Sequence, residues 1–356
     1  MITKYCGIVY YLFISVCIIL LSNCNELTDP DQEEQEPQTL SANVTYTNTI
    51  NSLGEVHRCL YKPSKNHYIH IVCTEAVQYS EFNPHIKLLD YPTQHVLKEA
   101  TSYTQAVIVN YYVEAGKVYE IQIREWSDDR TGGYTLHIET DNDDEKALIV
   151  NQNINGKINY VRDIDDFILN ISEVGYYHIS VKEKIPYSDF NPHISLLDFA
   201  TKYRLDQQTS YTEAVLVNKN LGQNPSYWIR VQEWSDDQPG EYIIKYMKDP
   251  DDSVTFTSTP VYYIGEIDFV KDKDKFYFRP NANGNYKITL SERIPNSEYN
   301  PHLRVFGEYG NVLQTKAAYD SAIINISLEA NKLYGIEASE WSDDRAGGYI
   351  LEIELQ

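Results

Sequence analysis

The chain has 356 residues, more than one ordinary domain holds, so two or three domains are expected. A formal charge of −22 disfavours nucleic acid and anionic lipid headgroups as partners, and favours solubility and the attraction of cations such as calcium. With 42% hydrophobic residues the chain is not disordered; 31 Tyr against 2 Met, and no long runs of helix formers, point to strands.

The N-terminus reads as a targeting segment over residues 1–23. Lys4 supplies a short positive region, and an apolar run follows from Ile8 to Leu21. That run suits a signal peptide and is short for a spanning helix. It ends Leu21-Ser22-Asn23-Cys24, which resembles a bacterial lipobox, although Asn23 stands where Gly or Ala is usual. Cys24 is then the lipidated residue, and the chain is expected in the bacterial cell envelope, at the outer membrane or cell surface. Residues 24–40 form the anchor and an acidic linker, with six acids and no base over 25–40. Such a segment is expected to be an extended spacer.

Two cysteines remain beyond it, Cys59 and Cys73. Export permits a disulfide, and they flank a hairpin-like turn at Lys62-Pro63-Ser64-Lys65-Asn66. A Cys59–Cys73 bridge stapling that hairpin is expected.

Self-similarity dominates the rest. Asn-Pro-His recurs with His85, His193 and His302, at spacings of 108 and 109. Glu-Trp-Ser-Asp-Asp recurs with Trp126, Trp234 and Trp341, at spacings of 108 and 107. Ser102–Asn110 matches Ser210–Asn218, with a looser copy at 318–325. This period fits a small domain rather than a solenoid turn. The units are 41–141, 150–248 and 256–356. Period-two runs such as Tyr119–Arg124, Tyr134–Glu139 and Tyr177–Lys182 alternate with turn residues at about ten-residue intervals. The fold class is therefore all-β: three tandem jelly-roll-like antiparallel β-sandwich domains.

Each Asn-Pro-His reads as structural, Pro setting an extended strand entry and Asn capping a turn. Each Trp is expected to plug one rim of its sandwich, with the Asp pair turning into the last strand. Clustered carboxylates also suit calcium. The candidates are Asp236 and Asp237 after Trp234, and Asp163, Asp165, Asp272 and Asp274 in a second acidic loop. Asp128, Asp129, Asp343 and Asp344 precede Arg130 and Arg345, which argues against a metal there.

Asp163-Ile164-Asp165-Asp166-Phe167, Gly175-Tyr176-Tyr177, Leu197-Asp198 and Gly240-Glu241-Tyr242 occur in the second unit. Asp272-Lys273-Asp274-Lys275-Phe276, Gly284-Asn285-Tyr286 and Gly347-Gly348-Tyr349 follow the same order in the third. This order resembles the bacterial pre-peptidase C-terminal domain family, over about 300 of the 356 residues. The resemblance implies a jelly-roll sandwich of the kind found beside secreted proteases, some binding calcium and some relatives binding collagen. The first unit lacks the Asp-x-Asp segment. No His-Glu-x-x-His, Gly-x-Ser-x-Gly or P-loop occurs, so no enzyme activity is expected. A binding or display module follows, its partner a protein or glycan at the cell surface, with a host matrix protein as the leading class. A carbohydrate-binding protein and a purely structural envelope protein are the alternatives.

Overall fold

The structure, a computed structural model, describes residues 37–222 and 226–356. The signal segment, Cys24 and nearly all of the linker lie outside the described residues. Every regular element among the described residues is a strand. No helix there is long and apolar enough to cross a membrane.

The first unit comprises β1 (Gln38–Leu40), β2 (Thr45–Ile50), β3 (His57–Tyr61), β4 (His67–Glu75), β5 (Pro84–Asp90), β6 (His95–Thr101), β7 (Gln105–Val113), β8 (Tyr119–Glu125) and β9 (Gly132–Asp141). The second comprises β10 (Ile154–Ile158), β11 (Asp165–Asn170), β12 (Gly175–Glu183), β13 (Pro192–Asp198), β14 (Arg204–Thr209), β15 (Glu213–Leu221), β16 (Ser226–Glu233) and β17 (Gly240–Lys248). The third comprises β18 (Thr255–Phe256), β19 (Val261–Ile267), β20 (Lys273–Phe278), β21 (Gly284–Glu292), β22 (Pro301–Phe306), β23 (Val312–Ala317), β24 (Ser321–Leu328), β25 (Tyr334–Glu340) and β26 (Gly347–Leu355).

Each unit is two facing sheets on one plan. In the first, β1-β3-β8-β5-β6 faces β2-β9-β4-β7. The second repeats it as β11-β16-β13-β14 over β10-β17-β12-β15, and the third as β18-β20-β25-β22-β23 over β19-β26-β21-β24. Pairing is antiparallel apart from the short edge strands β1 and β18, which run parallel to their neighbours. In the second unit a single bridge from Ala147 to Ile168 takes that place. The chain changes sheet at nearly every connection, the jelly-roll plan. Alternation produces the layers: Tyr134, Leu136 and Ile138 of β9 point inward and their neighbours outward. Three separate clusters of buried residues result, one core per unit.

The repeated motifs meet at one end of each core. Tyr134, Tyr242 and Tyr349 open the last strand and pack on Phe82, Phe190 and Tyr299, just before Asn-Pro-His, with centroids 6.2, 6.1 and 6.3 Å apart. A Cβ on Gly240 would lie 2.5 Å from Phe190 Cβ, so the glycine before this tyrosine is dictated by the aromatic it meets.

The tryptophans do not plug the rim. Trp126, Trp234 and Trp341 are 48%, 54% and 52% exposed. Inward positions on β8 are Tyr119, Ile121, Ile123 and Glu125, so period two turns Trp126 outward. The inward residue is the preceding glutamate. Glu125 Oε2 accepts the Ser127 and Asp129 amides at 2.8 and 3.3 Å, and Asn83 Nδ2 donates to its Oε1 at 3.2 Å. Glu233 with Asn191 and Glu340 with Asn300 repeat the clasp at 3.3 Å.

The expected Cys59–Cys73 bridge is not formed; both are free, buried thiols. Residues 62–66 carry the chain from one sheet to the other, so β3 and β4 are not hairpin partners. Burial pushes the Cys59 thiol to about 11 and Cys73 to about 12. In protein spanning 37–356 both thiols are therefore expected to resist Ellman's reagent at pH 8 until denaturant is added. Fast titration of two thiols in the native state would contradict this packing.

Candidate metal centre at each joint

Each joint brings a linker, a loop of the following unit and a sheet of the preceding unit onto one point. At the first, Asp141 ends β9, Asp143 and Asp144 follow in the linker, and Asp163 and Asp165 lie at the entry of β11. His70 comes from the outward face of β4. The second joint repeats the set as Asp249, Asp251, Asp252, Asp272, Asp274 and His178.

The local backbone explains the convergence. A register shift between Ile69 and Ile71 bulges the β4–β7 pair, and Asn110 takes a φ of 47°. Its Nδ2 donates to the Ile164 carbonyl of the next unit. The same shift between Tyr177 and Ile179, with Asn218 at 50°, sends the Asn218 Nδ2 to the Lys273 carbonyl at 2.7 Å. Tyr160 closes over His70 edge-on at 5.0 Å, and Phe269 covers His178 at 5.2 Å.

Asp141 and Asp144, like Asp249 and Asp252 at the second joint, each spend one oxygen on a backbone amide. Asp141 Oδ1 accepts the Asp143 amide at 2.9 Å, and Asp144 Oδ1 the Asp166 amide at 2.8 Å. Asp163 accepts the Asn159 and Ile164 amides at 2.6 and 2.9 Å. Tyr242 donates its hydroxyl to Asp165 Oδ2, as Tyr349 does to Asp274 Oδ2. Asp141 Oδ2, Asp144 Oδ2 and Asp165 Oδ1 are left buried without a hydrogen-bond partner; Asp252 Oδ2 and Asp274 Oδ1 are left so at the second joint. Ligand atoms of Asp249, Asp272 and Asp274 lie within 4.8 Å of one another, as do those of His70, Asp141 and Asp163.

Ionising such a cluster without a counter-ion is unfavourable. Burial, then neighbouring acids, push Asp165 and Asp274 to about 10. Burial lifts Asp144 to about 8, Asp252 to about 7, and Asp163 and Asp272 to about 6. The histidines face the acids through Nε2. His70 Nε2 stands 3.1 Å from Asp141 Oδ2, within ion-pair range but off the line of a hydrogen bond, and 3.7 Å from Asp163. His178 Nε2 lies 3.2 Å from Asp249 Oδ2. Each Nδ1 accepts a backbone amide, from Asn110 or Asn218, at 3.3 Å. With Nδ1 an acceptor, Nε2 carries the hydrogen and faces the acids as a donor. The atoms left to hold a metal are carboxylate oxygens, a donor set that fits calcium or another hard dication.

The sequence candidates divide. Asp163, Asp165, Asp272 and Asp274 lie in the joints. Asp236 and Asp237 do not: both are exposed in the turn after Trp234, where Asp236 takes a φ of 53° and the Asp237 amide caps Glu233 at 3.3 Å. The Asn-Pro-His histidines join no group of potential metal ligands among the described residues. His193 meets Thr209 and Ser195 hydroxyls at 2.7 and 3.1 Å, and His302 meets Thr315 at 3.0 Å.

The first unit lacks one half of the apparatus and the third unit the other. The first unit has His57 where Asp165 and Asp274 stand, 2.7 Å from the Tyr134 hydroxyl. The third has Lys287 at the histidine position and no bulge against β24.

No protein-family model matches the chain, and no curated protein does. The chain is similar in structure to a pre-peptidase C-terminal domain. That domain, from a Bacillus anthracis collagenase, is 14% identical, with 30% of this chain and 97% of that chain covered at a TM-score of 0.26. A triple jelly roll from the turret of an archaeal virus is 8% identical over 85% of this chain and 84% of that chain, at 0.20. A Clostridium perfringens ZmpB structure with CBM51-1 and CBM51-2 domains is 5% identical over 65% of this chain and 41% of that chain, at 0.19.

Proposed function

We propose that this chain is a non-catalytic exported lipoprotein, held in the bacterial cell envelope through Cys24, whose three sandwiches form a binding and display module. A host matrix protein is the partner class, and calcium at the two joints fixes each sandwich against the next.

The observation that carries this reading is a surface kept three times over. At one end of each unit a half-exposed Trp and a largely exposed Tyr flank a buried Pro: Trp126 with Tyr103, Trp234 with Tyr211, and Trp341 with Tyr319. In the third unit the two rings meet edge-on at 6.2 Å. Val77, Ile185 and Ile294 stand exposed in the adjoining loop. Large aromatics left in water at the same place in every repeat suit binding anchors. Tandem weak contacts gain by avidity when the spacing between them is fixed.

The test is binding to immobilised matrix proteins, comparing the native chain with a W126A/W234A/W341A variant. Truncating an anchor aromatic costs about 2 kcal/mol or more, so binding is expected to fall at least about thirtyfold. Equal binding by both proteins, or none by either, would leave the module reading without support.

A further inference from the structure

The third unit differs from its siblings at one position on the outward face of the β20–β25–β22 sheet. Gly335 on β25 lies in register between Tyr277 of β20 and Phe306 of β22. The same position is filled in the other units. In the second it is Trp228, between Ile168 and Leu197, stacked on Phe199 at 5.1 Å with Lys202 Nζ 4.6 Å above the indole. In the first it is Glu120, between Leu60 and Leu89, buried under Arg58, Gln94 and Gln122 at 3.2, 3.0 and 2.7 Å.

The Phe306 side chain leans over Gly335, 3.3 Å from where a Cβ would stand, and beside it a cavity of about 340 Å³ opens, lined by Tyr277 and Phe306. That is the lower end of small-ligand sites, about 300–1,000 Å³. Alongside the aromatic row runs a polar one, Lys275, Glu337 and Arg304, in the same register. Glu337 is only 4% exposed, and Arg304 Nη1 donates to its Oε1 at 2.9 Å. The Arg304 guanidinium also lies 4.9 Å over the Phe306 ring, which holds that ring in place. Gly307, Glu308 and Gly310 form the rim.

We infer that this slot binds one pyranose ring of an uncharged glycan. Tyr277 and Phe306 give the slot apolar aromatic surface of the kind a sugar's C–H groups pack on. The carboxylate and guanidinium beside them offer acceptors and paired donors at fixed spacing, as adjacent hydroxyls require. Lys275 and Arg304 balance Glu308 and Glu337, so the slot selects no net charge, and the formal charge of −22 repels polyanionic chains. This inference goes beyond the module reading and stands on the third unit alone, whether or not the joints hold a cation.

The test is an array of neutral oligosaccharides probed with the full chain, followed by calorimetric titration of the best ligand in EGTA. Gly335→Trp installs the side chain the second unit carries there, and Glu337→Gln keeps the shape while removing the charge. Binding to a neutral glycan is expected, weakened at least tenfold by either variant at temperatures where calorimetry shows the third unit still folded. Phe306→Ala is a third variant if Gly335→Trp folds poorly. No neutral glycan bound at millimolar concentration, binding untouched by these variants, or binding confined to sulfated chains would each overturn the assignment. Failure of the joints is read separately, as melting in EGTA identical to melting in calcium.

Discussion

In EGTA the protein is expected to melt at progressively lower temperature as pH rises from 6 to 10, and millimolar calcium to abolish that trend. The sign follows from the joint acids. An unfolded aspartate titrates near 3.9. In the folded joints Asp163 and Asp272 sit at about 6, Asp252 at about 7, Asp144 at about 8, and Asp165 and Asp274 at about 10. The metal-free folded state therefore holds protons that the unfolded state releases. Its stabilisation from them is complete below pH 4 and is lost as pH climbs through the folded values.

Calcium replaces the protons, so its effect grows where theirs fades. Saturation at a hundred times the dissociation constant stabilises the folded state by about 2.7 kcal/mol per site. For a domain of this size that is on the order of 10 °C. Scanning calorimetry at pH 6, 7.5 and 9, with calcium or EGTA, reads it directly. Asp144→Asn with Asp165→Asn removes one site and Asp252→Asn with Asp274→Asn the other, and each pair is expected to raise melting in EGTA at pH 9 while halving the calcium response. A melting temperature indifferent to calcium at all three pH values would refute the joint as a metal centre.

The sandwiches were legible in the sequence because period-two alternation and repeats at about 108 residues are local signals. What sequence alone misplaced was each residue whose role depends on a partner far along the chain. Trp126 and Glu125 are adjacent, and only the strand phase decides which one turns inward. Cys59 and Cys73 look like hairpin partners until the chain crosses between sheets at 62–66. Half of each joint was visible as an acidic loop, Asp163 with Asp165 and Asp272 with Asp274. The other half lies in a linker and in the preceding unit, so no contiguous motif contains it. A signal did exist: His70 and His178, like Asp141 and Asp249, stand 108 residues apart, and the third unit breaks the pattern with Lys287. A repeat position kept in the two units that meet a following one, and changed in the third, goes with a contact between units rather than a need within each.

Gly156→Ala is expected to unfold the second unit at a temperature that leaves the other two folded. A Cβ there would lie 2.3 Å from both Cζ and the hydroxyl of Tyr242. The ring cannot retreat: it is fully buried, with Phe167 and Phe190 at 6.3 and 6.1 Å, and its hydroxyl donates to Asp165. Overpacking of this kind costs about 1–3 kcal/mol, and a buried hydrogen bond broken with it about 1–3 more. Gly265 meets Tyr349 at the same 2.3 Å, so Gly265→Ala is expected to do to the third unit what Gly156→Ala does to the second. The first unit supplies the control. Asn48 pairs with Tyr134 at the equivalent place, exposed, because that tyrosine hydroxyl turns to His57 instead. Asn48→Ala is expected to change melting by under about 0.5 kcal/mol. Calorimetry of the three variants should show one early transition for each glycine substitution and none for the asparagine. A single transition shifted as a whole would mean that the joints, rather than the three separate cores, set the cooperative unit.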